Sequence, residues 1–243
     1  PAGPLADVAV APGSLDLVKG GSAQLVAQLR DTIGNRVFFR PVTWSSDNGA
    51  AASVDANGLV SGAAIGSATI GATAEGLSST TTVNVIVVAF ASVVPGTGHT
   101  CGLTGAGAAF CWGFNGGGQG GNGTRITPQR APFRVSGGHT WSEVRAGFDH
   151  SCGVTTGGTG YCWGLDGDGR AGDGTATAIL LEPTSVSGGL AFSTIRPGWV
   201  HSCGLSAGTA YCWGGNGEGQ LGTGDLDQRL SPTAVNSGLS FAQ

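Results

Sequence analysis

Apolar and polar residues alternate with a period of two through the first third of the chain. The alternation is clearest in three segments, SAQLVAQLR (22–30), GSATIGATAEG (66–76) and TTTVNVIVV (80–88). Because successive side chains of a strand point to opposite faces, each segment predicts a strand with one apolar face. The segment SVDANGLVSG (53–62) predicts a hairpin with Asn57-Gly58 as its turn. Several short antiparallel strands within residues 1–88 predict a small β-sandwich.

The pattern after residue 89 repeats itself. Copies begin at Phe90, Trp141 and Phe192, 51 residues apart each time, and FAQ at Phe241 opens a fourth. Each copy has an aromatic start, then G-x-x-H-[TS]-C-G-[LV], a Gly-rich turn, [FY]-C-W-G and N/D-G-x-G-[QR]-x-G. A period near fifty with strand-like segments predicts propeller blades, which bury their faces against their neighbours.

These two patterns divide the chain into two predicted domains of an all-β protein. The first covers residues 1–88 and the second covers residues 89–243. The predicted bounds of the repeats are about 90–140, 141–191 and 192–240, with a stub at 241–243.

The sequence of the first domain is specific enough to suggest a family. The segment VTWSSDNGAAASVDANGLVSGAAIGSATIGATAEG (42–76), followed by TTTVNV, resembles the bacterial immunoglobulin-like domain of group 2. The resemblance covers about residues 5–88 and implies an extracellular spacer or adhesive module without catalysis. We expect Trp44 to be the core aromatic residue of this sandwich.

The repeated consensus of residues 90–243 resembles the repeat of the regulator of chromosome condensation family. Propellers of that family usually carry seven blades, so three repeats and the start of a fourth predict a partial propeller. We expect the remaining blades to come from the same parent chain or from another chain. The chain begins with Pro1 and contains no Met, which favours a processed or excised piece of a longer protein.

Charge and composition narrow the range of partners. Only 11% of the residues are charged, the formal net charge is −4 and Lys19 is the sole lysine. Such a chain does not attract nucleic acid or an anionic membrane surface. It also lacks an apolar run of about 20 residues, the length needed to span a bilayer. We therefore predict neither nucleic-acid binding nor membrane insertion in this segment.

The six cysteines form one pair per repeat, each bracketing a Gly-rich turn. The pairs are Cys101 and Cys111, Cys152 and Cys162, and Cys203 and Cys212. An even number in a fixed pattern favours three disulfides within repeats, and an oxidising compartment. Zinc held by each pair with His99, His150 or His201 is a weaker alternative, because each repeat lacks a fourth ligand. Free buried thiols remain a further alternative. We predict a location outside a bacterial cell or on its surface.

Two other motifs in the repeats suggest ligands at first sight. Matches to the dinucleotide fingerprint GxGxxG begin at Gly116, Gly167 and Gly217, but Thr- and Pro-rich segments follow where a phosphate-binding helix is required. The middle repeat offers a possible calcium site in Asp166, Asp168 and Asp173. Three carboxylates fall short of the about six oxygen ligands that calcium takes. We predict turns at these positions, with no cofactor and no metal.

No catalytic constellation is evident. The Ser or Thr after each repeated His points to the opposite face of its strand, which argues against a Ser–His pair. We therefore predict no enzymatic activity.

Positions that differ between repeats lie in loops, where scaffolds display recognition groups. We predict partner contacts at Phe148, Asp149 and Trp199, although the two rings could instead pack under adjoining loops. The leading hypothesis is a secreted or surface protein whose propeller binds a protein or a glycan, with the immunoglobulin-like module as spacer. The alternatives are a propeller-type inhibitor of a secreted enzyme and a regulator resembling guanine-nucleotide exchange factors.

Overall fold

A computed structural model of the chain describes residues 3–236. The predicted repeat start at Phe241, and with it the stub at 241–243, lies outside the described residues. The chain forms two compact units, Pro1–Val88 and Ala89–Gln243. Within residues 3–236 no helix is long and apolar enough to cross a bilayer.

The first unit is a sandwich of short strands. Its strands are β1 (Leu5–Ala11), β2 (Ser14–Val18), β3 (Ser22–Gln24), β4 (Val26–Asp31), β5 (Thr43–Ser46), β6 (Ala52–Val54), β7 (Leu59–Gly62), β8 (Gly66–Ala74) and β9 (Leu77–Ile86). One sheet has the order β2-β9-β8-β5, with β2 parallel to β9, and another has the order β3-β7-β6. Strands β1 and β4 form a further antiparallel pair.

The apolar residues of the predicted alternation form the core of this unit. Four residues of β8 share the buried face, namely Ala68, Ile70, Ala72 and Ala74. The segment 22–30 is not one continuous strand. At Leu25 the chain leaves β3 for β4, and the Leu25 amide donates to the carbonyl of Gly58 instead of to a strand.

Trp44 differs from its predicted role. Its side chain is only half-buried. The indole lies against the turn between β6 and β7, where a Cβ on Gly58 would stand 2.8 Å from the ring. The sandwich core instead contains smaller residues such as Leu17, Ile70 and Val83.

The second unit contains three four-stranded antiparallel sheets, one per repeat. The first consists of β10 (Phe90–Pro95), β11 (His99–Thr104), β12 (Ala109–Gly113) and β13 (Gln129–Arg134). The second consists of β14 (Trp141–Ala146), β15 (His150–Thr155), β16 (Gly160–Leu165) and β17 (Ile179–Ser185). The third consists of β18 (Thr194–Pro197), β19 (His201–Ser206), β20 (Thr209–Gly214) and β21 (Arg229–Ala234). The all-β prediction of a sandwich followed by propeller blades is confirmed.

The order of strands decides which loops share a surface. Each sheet is a meander, so the connections from first to second strand and from third to fourth strand emerge at the same end. We name this end the loop face. It consists of residues 96–98, 114–128, 147–149, 166–178, 198–200 and 215–228. The hairpin turns and the links between repeats emerge at the opposite end.

Neighbouring blades bury the disulfides of one repeat under the aromatic residues of the next. Cys101 and Cys111 share a cluster with Trp141, Val144 and Trp163. The equivalent cluster one repeat later joins the second disulfide to Phe192, Ile195 and Trp213. This packing explains the repeated Trp and Cys, since each blade buries its faces only against another blade.

One glycine of the fingerprint has a clear structural reason. Gly121 adopts a φ of +62°, and a Cβ there would stand 2.6 Å from Nε1 of Trp163. A side chain at this position would therefore collide with the indole of the following blade. The glycine permits both the left-handed backbone and the close approach.

The three predicted disulfides are present. Each joins directly opposed residues of the second and third strands, with a Cα–Cα distance of 4.1 Å. The loop between the paired cysteines is one residue shorter in the third repeat than in the first two. There the hairpin closes through a two-residue turn at Ala207-Gly208, both at positive φ, and the register continues to Ser206 and Thr209.

Candidate functional site

Two of the three repeated histidines, His99 and His150, join neighbouring blades. Nε2 of His99 lies 2.7 Å from Oγ of Ser151, and Nε2 of His150 lies 2.8 Å from Oγ of Ser202. Within one repeat His and Ser face opposite ways, as predicted. The pairing between repeats was not predicted, although a strand with His on one face and Ser on the other presents each group to a neighbouring blade.

The hydrogen bonds of this pair show what it can do chemically. Oγ of Ser151 donates its single proton to the carbonyl of Gln119 at 3.0 Å, because a carbonyl can only accept. Nε2 of His99 therefore carries its own proton and donates it to the serine. Both residues are buried. The serine is thus not deprotonated by the histidine, and the arrangement is a structural bridge between blades.

Burial also sets the charge of these histidines. Desolvation lowers the pKa of His99 to about 4. It lowers the pKa of His150 to about 3, with a smaller contribution from the positive charge of Arg170. Neither Nδ1 atom has a hydrogen-bond partner. Both rings are therefore neutral at pH 7 and serve as donors through Nε2 alone.

The aspartates of the acidic loop in the second repeat bond to separate partners within that loop. In the described part of the chain no group of three or more His, Cys, Asp or Glu is arranged to hold a metal ion. Asp168 is engaged by an ion pair with Arg170. The Asp173 carboxylate accepts the amide and hydroxyl protons of Thr175. The GxGxxG segments lie in the same loops, which lead into strands.

Asp166 stands where the other two repeats have asparagine. Oδ1 of Asn115 accepts the amide of Gly120 at 2.7 Å, and its Nδ2 donates to the carbonyl of Thr124 at 3.0 Å. Oδ1 of Asp166 likewise accepts the amide of Ala171 at 2.8 Å, but its buried Oδ2 has no partner. Burial raises the pKa of Asp166 to about 6, and the nearby Asp173 carboxylate also raises it.

Asp166→Asn is expected to stabilise the protein at pH 8 by about 1–3 kcal/mol. A carboxyl with a raised pKa contributes stability below its unfolded pKa and loses that contribution as the pH rises through about 6. The gain should therefore shrink towards zero at pH 4, where Asp166 is protonated. Urea denaturation at pH 4, 6 and 8 measures it, with Asp7→Asn in the exposed part of the sandwich as control. An equal gain at pH 4 and pH 8 would contradict the explanation.

Phe148 and Trp199 form an exposed aromatic pair on the loop face. Their ring centroids are 5.6 Å apart with an interplanar angle of 56°. Phe148 is 39% exposed and Trp199 is 65% exposed. The rings therefore contact each other and face solvent instead of packing under adjoining loops.

The backbone fixes the spacing of this pair. The amide of Phe148 donates to the carbonyl of Gly198 at 3.2 Å, and the amide of Thr97 donates to the carbonyl of Gly147 at 3.3 Å. The loops between first and second strands of the first and second repeats are thereby each bonded to the equivalent loop of the next blade. A shallow depression of about 360 Å³ follows these loops and is lined by both rings.

Polar side chains connect the loops that carry the two rings to the neighbouring glycine-rich loops. Oδ1 of Asp149 accepts Nε2 of Gln119 at 3.1 Å. Nη1 of Arg170 donates to the carbonyl of Trp199 at 3.0 Å, while the same guanidinium pairs with Asp168. The structure thus places the three predicted contact residues, Phe148, Asp149 and Trp199, on one continuous surface.

The sandwich and the disulfide-bonded blades together define a two-module, all-β protein. Residues 4–85 match the family model of the bacterial Ig-like domain (group 2). Residues 207–242 match that of the regulator of chromosome condensation (RCC1) repeat. Both family resemblances seen in the sequence are confirmed, the first over residues 4–85 and the second over residues 207–242. No curated protein is significantly similar to the chain in sequence.

Solved propellers share the fold. Yeast RCC1 (Prp20) bound to Kap60 is 19% identical with a TM-score of 0.55, covering 71% of this chain and 47% of that one. Human WBSCR16 is 13% identical with a TM-score of 0.57, covering 96% and 67%. Prp20p from Saccharomyces cerevisiae is 16% identical with a TM-score of 0.54, covering 90% and 62%. The chain spans from about half to two thirds of these structures.

Proposed function

We propose that this chain belongs to a non-catalytic, extracellular bacterial binding protein, which holds a protein partner on the loop face of its propeller blades. The immunoglobulin-like domain serves as a spacer. The observation that carries the proposal is the exposed pair of Phe148 and Trp199, fixed by backbone hydrogen bonds between blades. Large aromatic residues on a rigid surface often anchor protein partners.

Three further observations support this function. All six cysteines are in disulfides, as expected of proteins in an oxidising compartment. Two His–Ser pairs, His99 with Ser151 and His150 with Ser202, are buried and hydrogen-bonded between blades, which supports a structural role for them. Among solved proteins of the same fold, yeast RCC1 is bound to Kap60, and Prp20p is described with its binding to Gsp1p and histones.

The test compares capture by three forms of the immobilised 243-residue chain. The double variant Phe148→Ala/Trp199→Ala is expected to retain about tenfold less of an extracellular bacterial protein than the wild type. Phe38→Ala is the matched control, because Phe38 lies in the sandwich and is also 65% exposed. Quantitative mass spectrometry of the retained proteins gives the ratio, and equal thermal midpoints verify the fold. Retention that is unchanged in the double variant would refute the role of these rings.

A further inference from the structure

The carboxylates of the repeat unit are concentrated at one end. Nine Asp and Glu residues lie between residues 89 and 236, and seven of them are on the loop face. These seven are Asp149, Asp166, Asp168, Asp173, Glu218, Asp225 and Asp227. The same loops contain only two arginines, Arg125 and Arg170. The opposite end, formed by 105–108, 135–140, 156–159, 186–193 and 207–208, contains no Asp, Glu, Lys or Arg.

The negative charge coincides with the aromatic pair. All seven carboxylates belong to the second and third repeats, which also supply Phe148 and Trp199. Arg125, the exposed arginine, lies on the first repeat, where its Nε donates to the carbonyl of Gly116 at 2.6 Å. Arg170 is buried and already paired with Asp168. The surface around the two rings is therefore acidic, with little positive charge exposed beside it.

Two carboxylates of this surface are available to a partner. Asp149 follows Phe148 directly, and the hydrogen bond to its side chain comes from the neutral amide of Gln119. Glu218 is exposed in the neighbouring loop of the third repeat. Within residues 3–236 neither makes an ion pair. Asp168 and Asp225, in contrast, are engaged by Arg170 and Arg229.

We propose that the loop face binds a basic protein segment, with an Arg or Lys side chain against Phe148 and Trp199 and further positive charges opposite Asp149 and Glu218. The proposal rests on the function proposed above and names the chemistry of the partner. A cation over an aromatic face is attracted by the ring quadrupole, and Arg is the more frequent donor. A single-sign surface also accelerates encounter with an oppositely charged partner.

The test uses the full chain and two synthetic nonapeptides, nona-arginine and its uncharged twin nona-citrulline. Calorimetric titration at low salt is expected to show about tenfold weaker binding of nona-citrulline, because it loses both the cation–π and the ionic contacts. Binding of nona-arginine should be about fivefold weaker in each of two double variants, because each removes one of these two kinds of contact. The variants are Asp149→Asn/Glu218→Gln and Phe148→Ala/Trp199→Ala. The control Asp7→Asn/Glu182→Gln removes the same charge from exposed positions outside the loop face and should bind as the wild type does.

The outcomes separate this proposal from the function it rests on. Equal binding of the two peptides, no binding of either, or equal weakening in the control pair would each overturn the basic-segment proposal. Capture of an extracellular protein that depends on Phe148 and Trp199 would still support the binding function in those cases. Equal capture by the wild type and by Phe148→Ala/Trp199→Ala would overturn the binding function itself.

Discussion

Trp163→Ala is expected to lower the free energy of unfolding of the repeat unit by about 3–5 kcal/mol, the usual cost of emptying a large buried aromatic site. Trp163 is fully buried in the cluster that joins the first two blades. Its Nε1 also donates to the carbonyl of Gln119 at 2.8 Å, so the variant leaves that bond unmade. Urea denaturation followed by near-ultraviolet circular dichroism measures the loss.

The matched control is Trp112→Ala, at the equivalent position of the first repeat. Trp112 is half-buried and lies against Phe90, with ring centroids 5.4 Å apart. Its removal should cost about 1–2 kcal/mol, in proportion to the smaller apolar area withdrawn from water. Equal costs at the two positions would show that burial between blades is not the source of the stability.

Acidification from pH 7 to pH 4 is expected to destabilise the repeat unit, by about 3 kcal/mol for each of His99 and His150. Their pKa values are lowered by burial to about 4 and about 3, so the unfolded chain binds protons more readily. The stabilising contribution is complete above the unfolded pKa of 6.5 and is lost as the pH falls towards the folded values.

His150→Gln isolates this effect. The glutamine amide supplies a donor for Ser202 without titrating, so the variant should lose less stability between pH 7 and pH 4 than its parent. The comparison is best made in the Asp166→Asn background, because Asp166 has a raised pKa and contributes with the opposite sign. Denaturant midpoints at pH 7, 5.5 and 4 provide the measurement. Parallel pH profiles in parent and variant would contradict the assignment.

Features that depend on local periodicity could be predicted from the sequence. The alternation in β8 predicts its buried face, and the fixed spacing of Cys101 and Cys111 predicts a bond across one hairpin. The break at Leu25 could not be predicted, because a change of sheet leaves the alternation intact. Trp44 shows the same limit, since its size indicates a core position while its burial depends on the turn it covers.

The candidate site was predictable only in part. Variation between repeats points to Phe148 and Trp199, but their mutual contact depends on the rotation from one blade to the next. The bridge from His99 to Ser151 was not predicted, because its two side chains come from strands of neighbouring blades. The concentration of carboxylates at one end could be recognised only once the meander order of the strands was known. This order places loops that are distant in sequence on a common surface.

Backbone bonds between Thr97, Phe148 and the glycines of the next blade have a consequence for engineering. The spacing of these positions is set by main-chain atoms that every residue except proline possesses. A combinatorial library at positions 97, 148 and 199 could therefore change what the surface selects, while the disulfides and tryptophans beneath continue to specify the architecture.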